Sequence, residues 1–465
     1  MGKKQKNTKK IRYRKRIKII FSSIILGLLL CMFLGGIGIW LSGERQTPDI
    51  GDEKEVSEQE ENDIKEETMA RTSETDSTIL KETPEPEESQ EGAHERAENP
   101  SATEPGKTKE DLLRERVDEY VVNLTAEEKV LQLFMVTPED LTGYNSVTEA
   151  GEHTKEAVLR YPVGGIIYFA ENLQEPQQVR TMLENTCRYY EEAGYPLPFL
   201  GVDEEGGKVA RIGSQPAFGV ERIEDMRSVG DGGDIKEARR IGYVIGSYLS
   251  ELGFSVDFAP VADVLTDSEN QVIGRRSFGT DPELVTDFSL AAAGGLEDAG
   301  VWAVFKHYPG HGATRLDSHD GYAWTDKTLE ELKESELVPF QKGIEEGIHF
   351  IMAAHISVPS VTGNMQPCTL SSYMITDVLR KEMGYDGIVV TDAMNMGAVC
   401  QQYDSAQAAV LALQAGVDLI LMPADFHSAV EGVLAALETG DLTEERIDES
   451  VRRILLVKFL EQNHV

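Results

Sequence analysis

The stretch from Val301 to His319, VWAVFKHYPGHGATRLDSH, holds residue types able to move protons and to grip a polar ligand. Its apolar opening, Val301 to Phe305, is long enough for one buried strand, and the pattern then breaks at Pro309 and Gly310. Lys306, His307, His311, Asp317 and His319 stand in or just after that break. A short buried strand that ends in a basic pair and a Gly-rich turn fixes cations at the mouth of a pocket. The loop beyond it ends in Asp-Ser-His.

Such a loop needs a scaffold, and the sequence past residue 109 has the pattern of one. Short apolar runs alternate with amphipathic stretches of helical period. The candidate strands are Leu131–Val136, Gly164–Phe169, Pro198–Val202, Ser255–Pro260, Trp302–His307, Phe350–His355, Gly387–Thr391 and Asp418–Met422. Between them the spacing predicts helices over Gln177–Glu192, Ile235–Leu252, Pro282–Ala299, Leu329–Glu346, Ser372–Met383 and Ser405–Ala415, with Glu444–Leu460 closing the chain. Thr125 and Glu128 give a capping-box start to the helix before the first strand. Eight strand–helix alternations point to an α/β (β/α)₈ barrel with some insertions; an open doubly wound sheet is the alternative.

In a barrel of this kind, functional groups gather at the C-terminal ends of the strands. Here the third run ends in Asp203-Glu204-Glu205-Gly206-Gly207, the fourth in Ala262-Asp263, the fifth in Lys306-His307, the sixth in His355 and the seventh in Asp392. Five polar rims of one kind make a joint signal for a site.

Composition narrows the partners. With 45 Lys and Arg against 81 Asp and Glu, the formal charge of −36 argues against nucleic acid, whose binding needs a basic face. Cys31, Cys187, Cys368 and Cys400 are widely spaced with no CxxC, so neither a disulfide framework nor a zinc site is indicated.

Ahead of the barrel pattern lie three segments. Residues 1–18 carry ten Lys or Arg and no acid, which reads as a basic cytoplasmic tail. Ile19 to Leu41 is nearly unbroken apolar sequence, roughly 34 Å long as a helix and sufficient to cross a bilayer core of about 30 Å. It is expected to be an uncleaved signal anchor, because a cleaved signal has an apolar core of about 7–15 residues and small residues at the cut. Secretion after cleavage is the alternative. Residues 42–109 are rich in Glu, Ser, Thr and Pro and are expected to form a disordered, extended acidic linker. On this reading the barrel region, 110–465, is expected to face outward from the cell membrane.

Five motifs carry a resemblance: GVDEEGGKVAR at Gly201–Arg211, NQVIGRRSFGTDP at Asn270–Pro282, KHYPGHG at Lys306–Gly312, DSH at Asp317–His319 and TDAMNMGAV at Thr391–Val399. In this order and spacing the chain resembles the family-three glycoside hydrolases, and within them the β-N-acetylhexosaminidases that trim cell-wall sugars. The resemblance implies that Asp392 is the nucleophile of a retaining mechanism, rigidly placed at a strand end. It implies that His319 is the acid/base, with Asp317 orienting its ring and stabilising its charged form, an arrangement that an i, i+2 pair in a loop can make. Asp203, Arg211, Arg276, Lys306 and His307 are implied substrate contacts: the carboxylate accepts from sugar hydroxyls, and the cations donate to them. Glu204, Glu205, Asp263 and His355 are expected to support these residues, and His311 to buttress the loop.

Two positions depart from the family pattern. Tyr308 replaces the commoner Phe and adds a hydroxyl that needs a partner if buried. Ala313 stands where an acid often follows Gly-His-Gly, and puts the loop's anchoring in doubt.

The resulting expectation is an exo-acting, retaining β-N-acetylglucosaminidase that removes terminal β-linked N-acetylglucosamine from peptidoglycan fragments. It would need no metal or organic cofactor, because Asp392 and His319 supply the covalent and proton-transfer chemistry. A phosphorylase using the same residues is the close alternative, since a histidine acid/base does not repel incoming phosphate as a carboxylate would. A β-glucosidase is opposed by the Asp-Ser-His motif, and a non-catalytic wall-binding protein by the intact nucleophile and Asp-His pair.

Overall fold

In the computed structural model the described residues are 107–314 and 323–461. The expected tail, anchor and most of the linker, residues 1–106, lie outside them, as do residues 315–322 with Asp317 and His319. Among the described residues no helix is long and apolar enough to cross a membrane.

The first helix, Lys109–Asn123, starts where Thr108 and Asp111 cap each other's backbone, and Thr125 with Glu128 repeats the device at Ala126–Gln132. Eight parallel strands follow: β1 Phe134–Val136, β2 Gly165–Ile167, β3 Phe199–Val202, β4 Val256–Asp257, β5 Trp302–Tyr308, β6 Phe350–Ala353, β7 Ile388–Thr391 and β8 Ile420–Leu421. Each pairs with its neighbours in chain order, and β1 also pairs with β8 through Phe134 opposite Ile420. A bridge between Val390 and Leu419 joins β7 to β8, so the sheet curls round into a barrel rather than opening as a doubly wound sheet. Helices cover its outside, which is why strand residues such as Phe199, Ile351 and Val390 are buried in unbroken apolar runs. Phe199 of β3 and Phe350 of β6 are not on neighbouring strands, yet their rings meet edge to face at 5.2 Å across the interior.

Most strands are shorter than their apolar runs. Leu131 and Gln132 close a helix instead of opening β1, and His355 lies beyond the end of β6. β5 instead runs one residue longer than expected, to Tyr308. The helix expected over Leu329–Glu346 is two, Leu329–Lys333 and Val338–Glu345, because Pro339 fits a first turn but not a helix interior. The helix expected over Ser372–Met383 is a π-type turn of chain, Tyr373–Glu382. Two additions sit at the rim: an antiparallel hairpin, Glu204–Gly206 with Val209–Ala210, and a parallel pair, Ala323–Trp324 with Ile356–Ser357.

Candidate active site

β5 delivers its basic pair into the barrel mouth. The Lys306 ammonium is buried between Asp203 Oδ1 at 2.8 Å and Glu205 Oε1 at 2.5 Å. Burial alone would lower the lysine's pKa; the two carboxylates reverse this and hold it above its ordinary value. Glu205, just past β3, also receives both arms of Arg276, Nε at 2.8 Å and Nη2 at 2.7 Å. Burial would raise Glu205, and the Arg276 and Lys306 cations outweigh it, so the carboxyl lies well below the usual range. His307 Nδ1 lies 2.7 Å from Asp263 Oδ2, and Nε2 lies 3.4 Å from Arg276 Nη2. Asp263 is ionised despite burial, because His307 and His311 oppose it, so Nδ1 donates to it.

Asp392 follows β7 directly. Its N–H donates to Ala353 O at 2.8 Å, and its Oδ1 accepts from the Ala393 N–H at 2.8 Å. Burial pushes its pKa up, while His307, His355, the Ala393 amide and Lys306 pull it down further, leaving it below the ordinary carboxylate value. The result is an ionised, rigidly held carboxylate on the same mouth as the Lys306 and His307 cluster. His355, just past β6, lies beside it, with Nε2 3.0 Å from Ala393 O and Nδ1 2.8 Å from Thr369 Oγ1.

The rim loops are fastened by buried polar groups. Glu204 accepts from three consecutive backbone amides, Arg211 at 2.5 Å, Ile212 at 2.9 Å and Gly213 at 2.7 Å, and from the Tyr248 hydroxyl at 2.9 Å. That turn carries Arg211, whose guanidinium stands 3.8 Å from Asp203 Oδ2 and 5.6 Å from the Phe169 ring centroid. Asn270 Nδ2 donates to His311 O at 2.7 Å and Thr314 O at 2.9 Å, while its Oδ1 accepts from the Ile273 amide at 2.9 Å. It thereby ties the Arg276 loop to the start of the loop toward Asp317. Gly310 has φ +123°, and a Cβ there would come within 2.4 Å of Glu336 Cβ; a Cβ on Gly312 would come within 1.9 Å of Val264 O. Only glycine fits either place.

The structure thus brings Asp203, Arg211, Arg276, Lys306, His307 and Asp392 to one mouth and seats Glu205, Asp263 and His355 against them. His311 is buried, its amide on Asp263 Oδ1 at 2.6 Å and its Nδ1 against Thr314 Oγ1 at 2.7 Å, so it buttresses the loop. The Tyr308 hydroxyl is buried and donates to Met374 O at 2.9 Å, which supplies the partner it needed. Asp317 and His319 lie outside the described residues.

Sequence reasoning missed Thr369, Tyr248 and Asp257. Asp257 had a signal, an acid between Val256 and Phe258 in a strand run. The others had none, because their roles come from contacts distant in the chain. Among the described residues no three His, Cys, Asp or Glu are grouped so as to hold a metal ion.

A parallel barrel that collects cations and ionised carboxylates at its C-terminal mouth has the architecture of an enzyme acting on a polyhydroxylated ligand. The chain belongs to glycosyl hydrolase family 3: the N terminal domain of that family matches residues 125–457. It is 34% identical to β-hexosaminidase A of Pseudoalteromonas piscicida over 338 residues, 67% of this chain and 56% of the relative. It is 32% identical to β-hexosaminidase LpqI of Mycobacterium tuberculosis over 349 residues, 72% of this chain and 83% of the relative. A glycoside hydrolase family 3 β-N-acetylglucosaminidase from Paenibacillus sp. str. FPU-7 superposes with a TM-score of 0.69 at 38% identity, over 74% of this chain and 64% of the other. The chain thus spans little more than half of the Pseudoalteromonas relative and under two thirds of the Paenibacillus one.

Proposed function

We propose that this chain is a retaining, exo-acting β-N-acetylglucosaminidase that hydrolyses terminal non-reducing β-N-acetylglucosamine from peptidoglycan fragments. The observation that carries the reading is Asp392, an ionised carboxylate fixed at the end of β7 beside Lys306 and His307. Attack of its oxygen on the anomeric carbon forms a glycosyl-aspartate ester and expels the leaving-group oxygen, which takes a proton from His319. The same histidine then removes a proton from water, and the resulting hydroxyl displaces Asp392. Asp317 orients His319; this pair rests on the sequence motif. Asp203, Arg211, Arg276, Lys306 and His307 hold the sugar hydroxyls, and the buried ion pairs fix Lys306 and Arg276 in place for this. The hexosaminidase names of the relatives support the N-acetyl sugar. The basic tail and the apolar run 19–41 support an anchor with the catalytic region outside, where wall fragments are found.

Rates on aryl β-N-acetylglucosaminide and aryl β-glucoside, in phosphate and in a non-nucleophilic buffer, test the reading. The expected result is a strong preference for the N-acetyl sugar, with free sugar as product in both buffers. Equal rates on the two sugars, or sugar 1-phosphate as product, would overturn it.

A further inference from the structure

His355 makes two hydrogen bonds whose partners decide its charge. Nε2 lies 3.0 Å from Ala393 O, a carbonyl that only accepts, so Nε2 carries a hydrogen. Nδ1 lies 2.8 Å from Thr369 Oγ1. The single hydroxyl hydrogen of Thr369 is committed elsewhere, because Oγ1 is 2.7 Å from Ala354 O and 3.3 Å from Ala353 O, both of them acceptors. Thr369 therefore presents a lone pair to Nδ1, which must carry a hydrogen as well. An imidazole with hydrogen on both nitrogens is a cation. His355 and Thr369 are each fully buried, so water does not compete for these bonds.

We propose that His355 is held as an imidazolium by this pair of acceptors, and that it is a positioning residue whose charge stabilises the Asp392 carboxylate in the barrel mouth. Among the described residues, the groups that draw the Asp392 pKa down are His307 and Lys306 from β5, His355 past β6, and the Ala393 amide on its own strand end. Asp203, Glu205 and Asp263 engage Lys306 and His307, so much of the charge of that pair is already balanced. The charge of His355 is among those that draw the Asp392 pKa down. The role assigned to Asp392 rests on the function proposed above; the charge of His355 does not.

Two measurements test the proposal, and the first needs no activity. Nitrogen NMR of ¹⁵N-histidine-labelled protein, with the signal assigned by its loss in His355→Gln, reads the protonation of each ring nitrogen. Both nitrogens of His355 are expected to stay protonated past the ordinary histidine pKa of about 6.5. One protonated nitrogen at neutral pH would overturn the proposal. Second, Thr369→Val removes the acceptor at nearly constant volume, while Thr369→Ser keeps it. Thr369→Val is expected to free His355 of its second proton and to move the acid limb of the kcat profile up by about one pH unit. Thr369→Ser is expected to restore the wild-type profile. An unmoved limb in a folded Thr369→Val variant would sink the link to Asp392, and a chain inactive on every sugar would sink the functional reading while the NMR still decides the charge.

Discussion

Burial raises every carboxyl group of the barrel mouth, and the cations around each one decide whether its pKa ends above or below the ordinary value. Glu205 and Asp392 face cations and are held below the ordinary range. Asp257 on β4 ends on the other side: its Oδ1 accepts from the Glu204 amide at 2.9 Å and its Oδ2 is buried with no hydrogen-bond partner, and burial with the nearby Glu204 carboxylate outweighs Lys306 and raises its pKa well above the ordinary value. Asp257 therefore keeps its proton to higher pH in the folded chain than in the unfolded one. The unfolded chain releases this proton near pH 4 and the folded chain does not, so wild-type stability falls as pH rises above that value. Asp257→Asn removes the penalty. The melting temperature of Asp257→Asn relative to wild type should therefore climb as pH rises above about 4. A difference that stays flat above that pH contradicts a raised Asp257. The proton donor is tested by leaving-group dependence: His319→Ala should cost on the order of 10²–10⁴-fold in kcat/KM on a poor leaving group and far less on an activated aryl one. Equal losses on both would remove His319 from that role.

At the scale of elements, the rim is held by loops stitched to one another across strands. Asn270 is the clearest stitch, because one side chain joins the loop of Arg276 to His311 and Thr314. Asn270→Ala takes this partner from the buried Thr314 carbonyl and Ile273 amide, at about 1–3 kcal/mol, and should lower both the melting temperature and kcat/KM. Loss of activity without loss of stability would mean that Asn270 touches substrate instead. Much of this level was legible in the sequence. All eight strands were recognisable because a parallel barrel wall is buried on both faces and reads as continuous apolar runs. The ends were less legible, since Leu131 and Gln132 are as apolar or as buried within a helix as within a strand. Strand-end residues such as Asp392 and Lys306 could be found because the fold dictates where function gathers. Thr369 and Tyr248 could not, because each acts through a partner, His355 or Glu204, that only folding brings near.

For the whole molecule, the barrel is expected to work without the segments ahead of it. A fragment of residues 107–465 should retain kcat/KM within about twofold, because the candidate site residues and the core among the described residues lie past Thr108. The full chain should sediment with membranes, and the fragment should not. A soluble full chain would contradict the anchor, and an inactive but folded fragment would show that residues 1–106 complete the site.

The central claim is that Asp392 attacks the sugar, and direct trapping of the covalent intermediate tests it. A 5-fluoro-N-acetylglucosaminyl fluoride forms a glycosyl-enzyme that turns over slowly enough for mass spectrometry of proteolytic fragments. One added sugar is expected on the peptide containing Asp392, with none in Asp392→Ala and a β-configured product from the normal substrate. A sugar on another residue, or an α-configured product with no adduct, would contradict it.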